Sequence, residues 1–447
     1  MTIRRVFVAN RGEIALRIVR ACTELGVESV LGASEVDMGS PAARAADRVI
    51  CIGPGPSAQS YLRGDTLVAA ALGTGCDAIH PGYGFLAESA AFAARTCEHG
   101  LVFVGPPPEV IELAGDKLRA REEAALAGLP VLGGGSPSQA QNLRYPLLVK
   151  AAGGGGGRGI KLVHDAGELD ALLSLARSEA GAAFGDDRVY LERFIAAARH
   201  IEVQVAADEH GGVIALGERD CSVQRRYQKV IEEAPAPGLP EATRDALCDA
   251  AVAFARRISY RNVGTVEFVL DAASDEFFFL ECNCRIQVEH PVTEAVTGVD
   301  LVGEQLRIAA GERLSVAQED VRVDGHAIEC RLTAEDPERG FQPSPGRITR
   351  FAPPAAAGLR VDTHCEDGTF VAPYYDSLLA KLIAHGRDRA HAIAILAGAL
   401  DALECEGVAT NRDLLVRVLR DPDYVAGGVT TTWLEGALPA LLEGVAA

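Results

Sequence analysis

The stretch Phe277 to Pro291, FFFLECNCRIQVEHP, constrains the fold more than any other part of this chain. It opens with an aromatic and aliphatic run that reads as a buried strand, then places Glu281, Asn283, Arg285, Gln287 and Glu289 at every second position. Side chains alternate between the two faces of a strand, so continued extension puts these five polar groups on one face and Cys282, Cys284, Ile286 and Val288 on the other. A row of carboxylate, amide, guanidinium, amide and carboxylate reads as a surface for a polar ligand. The preceding segment GTVEFVLD alternates Val266, Phe268 and Leu270 with Thr265, Glu267 and Val269, and an Ala-Ala-Ser-Asp turn joins the two segments as a hairpin. A turn centred near Ser274 sets Glu267 opposite Glu281.

Two ionised carboxylates about 4 Å apart repel by roughly 4 kcal/mol at an effective dielectric near 20, so the pair requires a counter-cation. Oxygen donors from Glu267 and Glu281, with Asn283 nearby, suit Mg²⁺ or Mn²⁺, and Mg²⁺ held by carboxylates completes its shell with water and nucleotide phosphate. The competing reading is a solvated hairpin with a salt bridge to Arg285.

A chain of 447 residues with 48% hydrophobic content can bury large cores in several domains. Its net charge of -19 comes without any block of Lys or Arg long enough to track a phosphate backbone, which argues against a nucleic-acid partner. The 11 cysteines are odd in number and lack framework spacing, as expected of reduced thiols in a cytoplasmic protein. The N-terminus enters a strand without a signal-type apolar stretch, and Val68 to Ala87 is interrupted by glycines, Asp77, His80 and Pro81, so no membrane span is expected.

Residues 4 to 113 alternate strand and helix, which predicts a parallel sheet. Asn10-Arg11-Gly12-Glu13 after the first strand lacks the G-x-G-x-x-G of a dinucleotide-binding turn. The spacing predicts a helix over Asp116 to Ala127 with Lys117 in its first turn, where a cation either escapes to solvent or has an anionic client. Residues 131 to 195 read as a small separate domain: a strand LLVKAA, a loop GGGGGRG and a second strand from Ile160. Consecutive glycines expose backbone N–H groups to phosphate oxygens, and Lys150, Arg158 and Lys161 surround the loop, so it reads as a phosphate-gripping hairpin. From 196 onward the pattern is α+β. His200, Glu202 and Gln204 share one strand face, Glu329 and Arg331 share another, and a C-terminal helix runs from about Asp388 to Cys405. The charged run from Glu218 to Pro237 is of a kind that usually forms a solvated loop.

Taken together, the glycine loop with Lys150, the paired acids and the string RIQVEHPVTE closely resemble the biotin carboxylases of the ATP-grasp superfamily. ANRGEIALRI, HPGYGFLAE, GDK, ERDCSVQRR, EEAPAPG and PYYDSLLAKLI extend the resemblance over nearly the whole chain. It implies an ATP-grasp fold of mixed α/β and α+β class. An N-terminal parallel α/β domain would span 1–113, a linker helix 114–130, a lid 131–195, and a central ATP-grasp and C-terminal domain 196–447. It also implies that Lys117, Lys150, Gly155, Gly156, Gly157, Glu192, Ile195, His200 and Gln224 contact ATP, and that Glu267, Glu281 and Asn283 hold Mg²⁺ or Mn²⁺. Lys229, Arg285, Gln287 and the Val288 amide would bind bicarbonate, Glu289 would be the base, and Arg331 would stabilise the biotin enolate.

The sequence departs from the family pattern in four places. Tyr227 stands where the family usually has His, Cys282 and Cys284 replace Met and Thr, and Thr333 replaces Asn. Only nineteen residues separate Pro130 from Lys150, so the helix usual in this part of the lid is expected to be largely missing. The resemblance implies a homodimer with Arg17, Arg20 and Glu24 near its interface, biotin brought on a separate biotin carboxyl carrier protein, and separate carboxyltransferase subunits, most simply those of an acetyl-CoA carboxylase. Another acyl-CoA or pyruvate carboxylase, an ATP-grasp ligase with a different acceptor, and a non-catalytic paralogue are the alternatives.

Overall fold

The structure is a computed structural model that describes residues 3–153 and 160–443. Near the N-terminus, five parallel strands lie in the spatial order Arg48–Gly53, Glu28–Ser34, Arg5–Val8, Ala78–His80 and Val102–Phe103. The helix Gly12–Glu24 packs on this sheet through Ile14, Ile18 and Val19, so the alternation of strand and helix is the parallel unit expected. Asp116 caps the helix Lys117–Leu126 by accepting from the N–H groups of Leu118 and Arg119.

A four-stranded antiparallel sheet follows, with Gly134–Gly135, Val189–Arg193, Leu147–Ala151 and Lys161–Val163 side by side. The helix Leu169–Phe184 covers it, and Leu147, Val149, Val163, Leu173 and Leu191 form a small core of their own. The segment between Pro130 and Lys150 that was expected to lack a helix carries one short 3₁₀ turn, Pro137–Asn142, with a capping box at Ser136 and Gln139. The expectations for Gly155, Gly156 and Gly157 fall outside the described residues.

The third sheet has eight antiparallel strands in the order Phe277–Asn283, Asn262–Asp271, Ala198–Ala207, Val213–Arg225, Gln228–Ala234, His326–Thr333, Leu378–Gly386 and Leu359–Thr363. The hairpin is in the expected register, with Glu267 opposite Glu281. Its apolar face, Val266, Phe268, Leu270, Phe279 and Cys282, belongs to the largest core cluster, and Cys284 joins it. All cysteines are free.

Three expectations are corrected. The strand ends at Asn283 instead of running on to Glu289. Residues 284–288 are irregular and Glu289 sits immediately before the helix His290–Thr297, whose first turn contains Pro291. Proline has no N–H for a strand ladder but fits the first helical turn, which accounts for the change of backbone there. The charged run from Glu218 to Pro237 is not a solvated loop. It is a buried hairpin in which Arg225 pairs with Gln228 across a two-residue turn, Arg226 and Tyr227, both with left-handed φ of 48° and 64°. The C-terminal helix stops at Ala402, and Cys405 lies in the short strand Glu404–Glu406. Among the described residues no helix is long and apolar enough to cross a membrane.

Candidate active site

Strand register builds the site. Glu281 faces Glu267 across one strand pair, Glu267 faces Glu202 across the next, and Glu202 faces Arg219 across a third, so three acids and a guanidinium form one row across the sheet. Glu202 and Glu267 are buried, Glu281 is partly exposed, and each is paired. Lys229 Nζ donates to Glu202 at 2.6 Å, to Glu267 at 3.1 Å and to Glu289 at 2.6 Å. Lys117 Nζ lies 2.9 Å from Glu281, so the first-turn lysine has an anionic partner and does not escape to solvent. His200 Nε2 is 2.9 Å from Glu267, and Asn283 and Gln287 donate to the other oxygen of Glu267 at 2.8 and 3.0 Å.

Burial alone would raise the carboxyl pKa values of Glu267 and Glu281. Lys229 and His200 outweigh it for Glu267, and Lys117 outweighs it for Glu281, so both are held at about 2. Two carboxylates that stay ionised throughout the neutral range, beside the amide of Asn283, are an oxygen donor set of the kind a hard divalent cation takes. The competing neutraliser, Arg285, turns elsewhere: its Nε donates to Glu88 at 2.9 Å and its Nη1 to Gln287 at 2.5 Å.

The strand end and the turn before Pro291 bring Arg285, Gln287, Val288 and Glu289 to one cavity of about 530 Å³, despite the loss of strand geometry after Asn283. Glu289 sits on its wall between Lys229 and Arg331, whose Nη2 donates to it at 3.0 Å. Burial would raise its pKa, but Lys229, Arg331 and Arg219 overcome both burial and the charge of Glu202 and hold it below the usual carboxylate range. Burial lowers and the carboxylates Glu232 and Glu289 raise the pKa of Arg331, so it stays charged. The same cavity is lined by Lys150, Gly153, Glu192 and Ile195 from the four-stranded sheet and its exit, and by His200, Gln224 and Tyr227. Lys150 and Arg121 both pair with Glu192. Tyr227, at the hairpin tip, is 53% exposed.

Reading the sequence did not assign roles to two buried cations. Arg219 is fully enclosed and donates to Glu202, Gln204, Thr293 and Thr265 at 2.6 to 3.2 Å. Lys381, equally enclosed, donates to the Val288 carbonyl at 2.8 Å and lies 3.2 Å from Glu13. The signal for Lys381 was present, because a single lysine within LLAKLIA is a cation that burial forces into pairing. Arg219 had only a charged neighbourhood to mark it. Removing one partner of a buried pair leaves the other uncompensated, so Arg219→Met is expected to lower unfolding free energy by about 3–5 kcal/mol. A fall in the thermal unfolding midpoint would show it, and an unchanged midpoint would mean that Lys229 alone suffices for Glu202.

The fold and this acid-and-cation site define an ATP-grasp enzyme. Family models match the chain in succession: "Biotin carboxylase, N-terminal domain" over residues 2–111, "Carbamoyl-phosphate synthase L chain, ATP binding domain" over 135–317, and "Biotin carboxylase C-terminal domain" over 329–436. The biotin carboxylase of Pseudomonas aeruginosa is 50% identical over 446 residues, 98% of this chain and 99% of that one. Biotin carboxylase 1 of Bacillus subtilis is 46% identical over 97% of this chain and 98% of its own length. Among solved structures, the biotin carboxylase domain dimer of Hydrogenobacter thermophilus 2-oxoglutarate carboxylase, in complex with MgADP, ADP and bicarbonate, superposes with a TM-score of 0.95 at 44% identity, covering 99% of both chains. The biotin carboxylase–β-γ-ATP complex from Campylobacter jejuni gives 0.95 at 42% identity, covering 97% of this chain and 99% of that one. The chain belongs to the biotin carboxylase family, ATP-dependent ligases that carboxylate biotin.

Proposed function

We propose that this chain is the biotin carboxylase subunit of an acetyl-CoA carboxylase and carboxylates biotin on a separate carrier protein, using ATP and bicarbonate by way of carboxyphosphate. The observation that carries the reading is Glu289, held 2.6 Å from Lys229 and 3.0 Å from Arg331 on the wall of the cavity that also contains Glu267 and Glu281. Bicarbonate is a weak nucleophile. A positioned carboxylate removes its proton while fixed cations hold the developing dianion against the γ-phosphate. Glu289 is that base, and Lys229, Arg285, Gln287 and the Val288 amide hold the bicarbonate. Carboxyphosphate then breaks into CO₂ and phosphate, phosphate takes the ureido proton of biotin, and Arg331 balances the enolate oxygen with a charge that burial does not remove.

The ionised pair Glu267 and Glu281, with Asn283, fits Mg²⁺ or Mn²⁺ and would hold it, and a bound divalent ion neutralises nucleotide phosphate charge. Lys117, Lys150, Glu192, Ile195, His200, Gln224 and the glycine loop take the nucleotide, with residues 131–195 as the lid over a core of 196–447, the N-terminal domain at 1–113 and the linker helix at 114–130. Domain dimers among the solved relatives support a homodimer. In this chain the exposed Arg20 and Glu24 share a helix with Arg17, which bonds Asp300 and, at 3.1 Å, Glu294. Carboxyltransferase subunits would complete a cytoplasmic system.

A second reading is favoured by one observation: the relatives of like fold include the biotin carboxylase domain of a 2-oxoglutarate carboxylase and, at 40% identity over 99% of this chain, Rhizobium etli pyruvate carboxylase. This chain would then serve a 2-oxo acid carboxylase, with the same cavity and a different final acceptor.

ATP hydrolysis with Mg²⁺, measured with and without bicarbonate and free biotin alongside carboxybiotin detection, tests the common core. Stimulation by the two together is the expected result. Nucleotide binding without hydrolysis under every condition would refute the enzyme assignment, and stimulation by another carboxylate or amine would redirect it. Reconstitution with carrier and carboxyltransferase subunits then separates acetyl-CoA from 2-oxo acid acceptors.

A further inference from the structure

Beside Arg331, on the same face of the eight-stranded sheet, lie two carboxyls that the chemistry above does not use. Glu232 and Glu329 are directly opposed on adjacent strands, Arg331 stands two residues along from Glu329, and Lys381 is opposed to Arg331 on the next strand. Side chains so opposed start from Cβ atoms about 4.5–5.5 Å apart. Both glutamates are fully enclosed. Glu232 Oε1 accepts from Arg331 Nε at 2.6 Å, Glu232 Oε2 has no partner, and neither oxygen of Glu329 has one among the described residues. Lys381 gives its hydrogen bond to the Val288 carbonyl and pairs with Glu13 instead. Two carboxylates about 5 Å apart repel by roughly 3 kcal/mol at an effective dielectric near 20. A buried carboxylate with no hydrogen bond to either oxygen is not kept as an ion.

We propose that Glu232 and Glu329 form a one-proton carboxyl pair that positions Arg331 for biotin, with Glu329 the neutral acid and Glu232 the anion that grips the guanidinium from behind. Glu232 meets Arg331 at both Nε and Nη2, and Nη2 also donates to Glu289 on the cavity wall. The inference rests on the assignment of Arg331 to the biotin step. Neither glutamate touches reacting atoms, so both are positioning residues. The charged and titratable groups about the pair are Arg331 and Cys330 on the strand of Glu329, Lys381 from the next strand with Glu13 behind it, Lys229 on the strand of Glu232 with Cys221 beyond it, and Glu289 from the turn. Burial, then the charge of Glu289, holds Glu232 at about 7 against the pull of Arg331, and burial, against Lys381, holds Glu329 well above the ordinary carboxyl range. Both shifts are upward and favour the neutral form. The grip of Glu232 is therefore present above about pH 7 and is lost as pH falls below it.

Infrared difference spectroscopy reads the proton without any assay. At about pH 8 the wild type minus Glu329→Gln spectrum is expected to show one C=O stretch of a buried protonated carboxyl, and its absence would overturn the pair. In kinetics, Glu232→Gln is expected to lower kcat/KM for biotin about tenfold while bicarbonate-dependent ATP cleavage without biotin stays within about twofold. Glu329→Gln, whose amide stands in for the neutral acid, keeps both within about threefold. The ratio of the biotin-dependent to the biotin-independent rate should rise through about pH 7 in the wild type and stay flat in Glu232→Gln. Equal losses in the two variants, or equal loss of both activities in Glu232→Gln, would overturn the positioning role. An infrared band in a wild type that biotin does not stimulate would uphold the shared proton and overturn its purpose, together with the functional reading.

Discussion

Glu289→Gln is expected to lower bicarbonate-dependent turnover by ~10² or more and to leave nucleotide affinity within about twofold. The amide preserves the shape of the side chain, so the packing of the cavity wall survives, and its one oxygen can still accept from Lys229 or from Arg331, which meet different oxygens of Glu289. Only the basic oxygen is lost. In the structure that oxygen is a weak base, because Lys229 and Arg331 hold the carboxyl below its ordinary range. This is consistent with the role. An acid of lowered pKa is fully ionised at neutral pH, and on the proposed mechanism bicarbonate would draw Lys229 away from Glu289, so that its basicity would rise when the substrate is bound. The sign follows for pH: any acid limb due to Glu289 should lie below the usual carboxylate range in the free enzyme. Steady-state rates with saturating bicarbonate, together with direct nucleotide binding, separate the effects. Near-wild-type turnover would remove Glu289 from the role of base.

The hairpin was legible because its two signals, period-two alternation and a four-residue turn, are local. They sufficed to oppose Glu267 and Glu281 and to send Cys282 and Cys284 into the core. Alternation read past Asn283 failed, since sequence periodicity does not say where a strand yields to a turn, yet Arg285, Gln287 and Glu289 still reach the cavity. The run from Glu218 to Pro237 was misleading for a different reason. Its charges look solvated until the strand order is known, and only the register of Glu202 with Arg219 and the hydrogen bond from Arg331 to Glu232 reveal that they are neutralised inside the sheet. Pairing between strands distant in sequence leaves no short-range mark. Lys117 illustrates the same limit: its helix and cap were readable, but its partner Glu281 lies 164 positions away in the chain.

Arg331→Ala is expected to abolish most carboxybiotin formation, by about 10²–10³, while bicarbonate-dependent ATP cleavage continues. Lys229, Arg285 and Glu289 line one cavity, and Lys229 holds Glu289 without Arg331, so on the proposed mechanism carboxyphosphate formation would keep its base and its cations. The later step places negative charge on the ureido oxygen of biotin, and Arg331, held charged by Glu232 and Glu289, is the guanidinium on the wall that Glu289 shares. Loss of a buried cation often destabilises a protein by leaving an unpaired carboxylate. Here the penalty is expected to be small, because burial already pushes the Glu232 carboxyl up to about 7 against the pull of Arg331, and losing that pull favours its neutral form. A folded variant that uncouples ATP cleavage from carboxylation is therefore the expected outcome. Arg331→Lys should recover only part of the loss, since an ammonium keeps the charge but cannot bridge Glu232 and the cavity with a planar fork. Carboxybiotin yield per ATP cleaved is the deciding measurement. Parallel loss of both activities would move Arg331 into the first step and leave the enolate without a counter-ion.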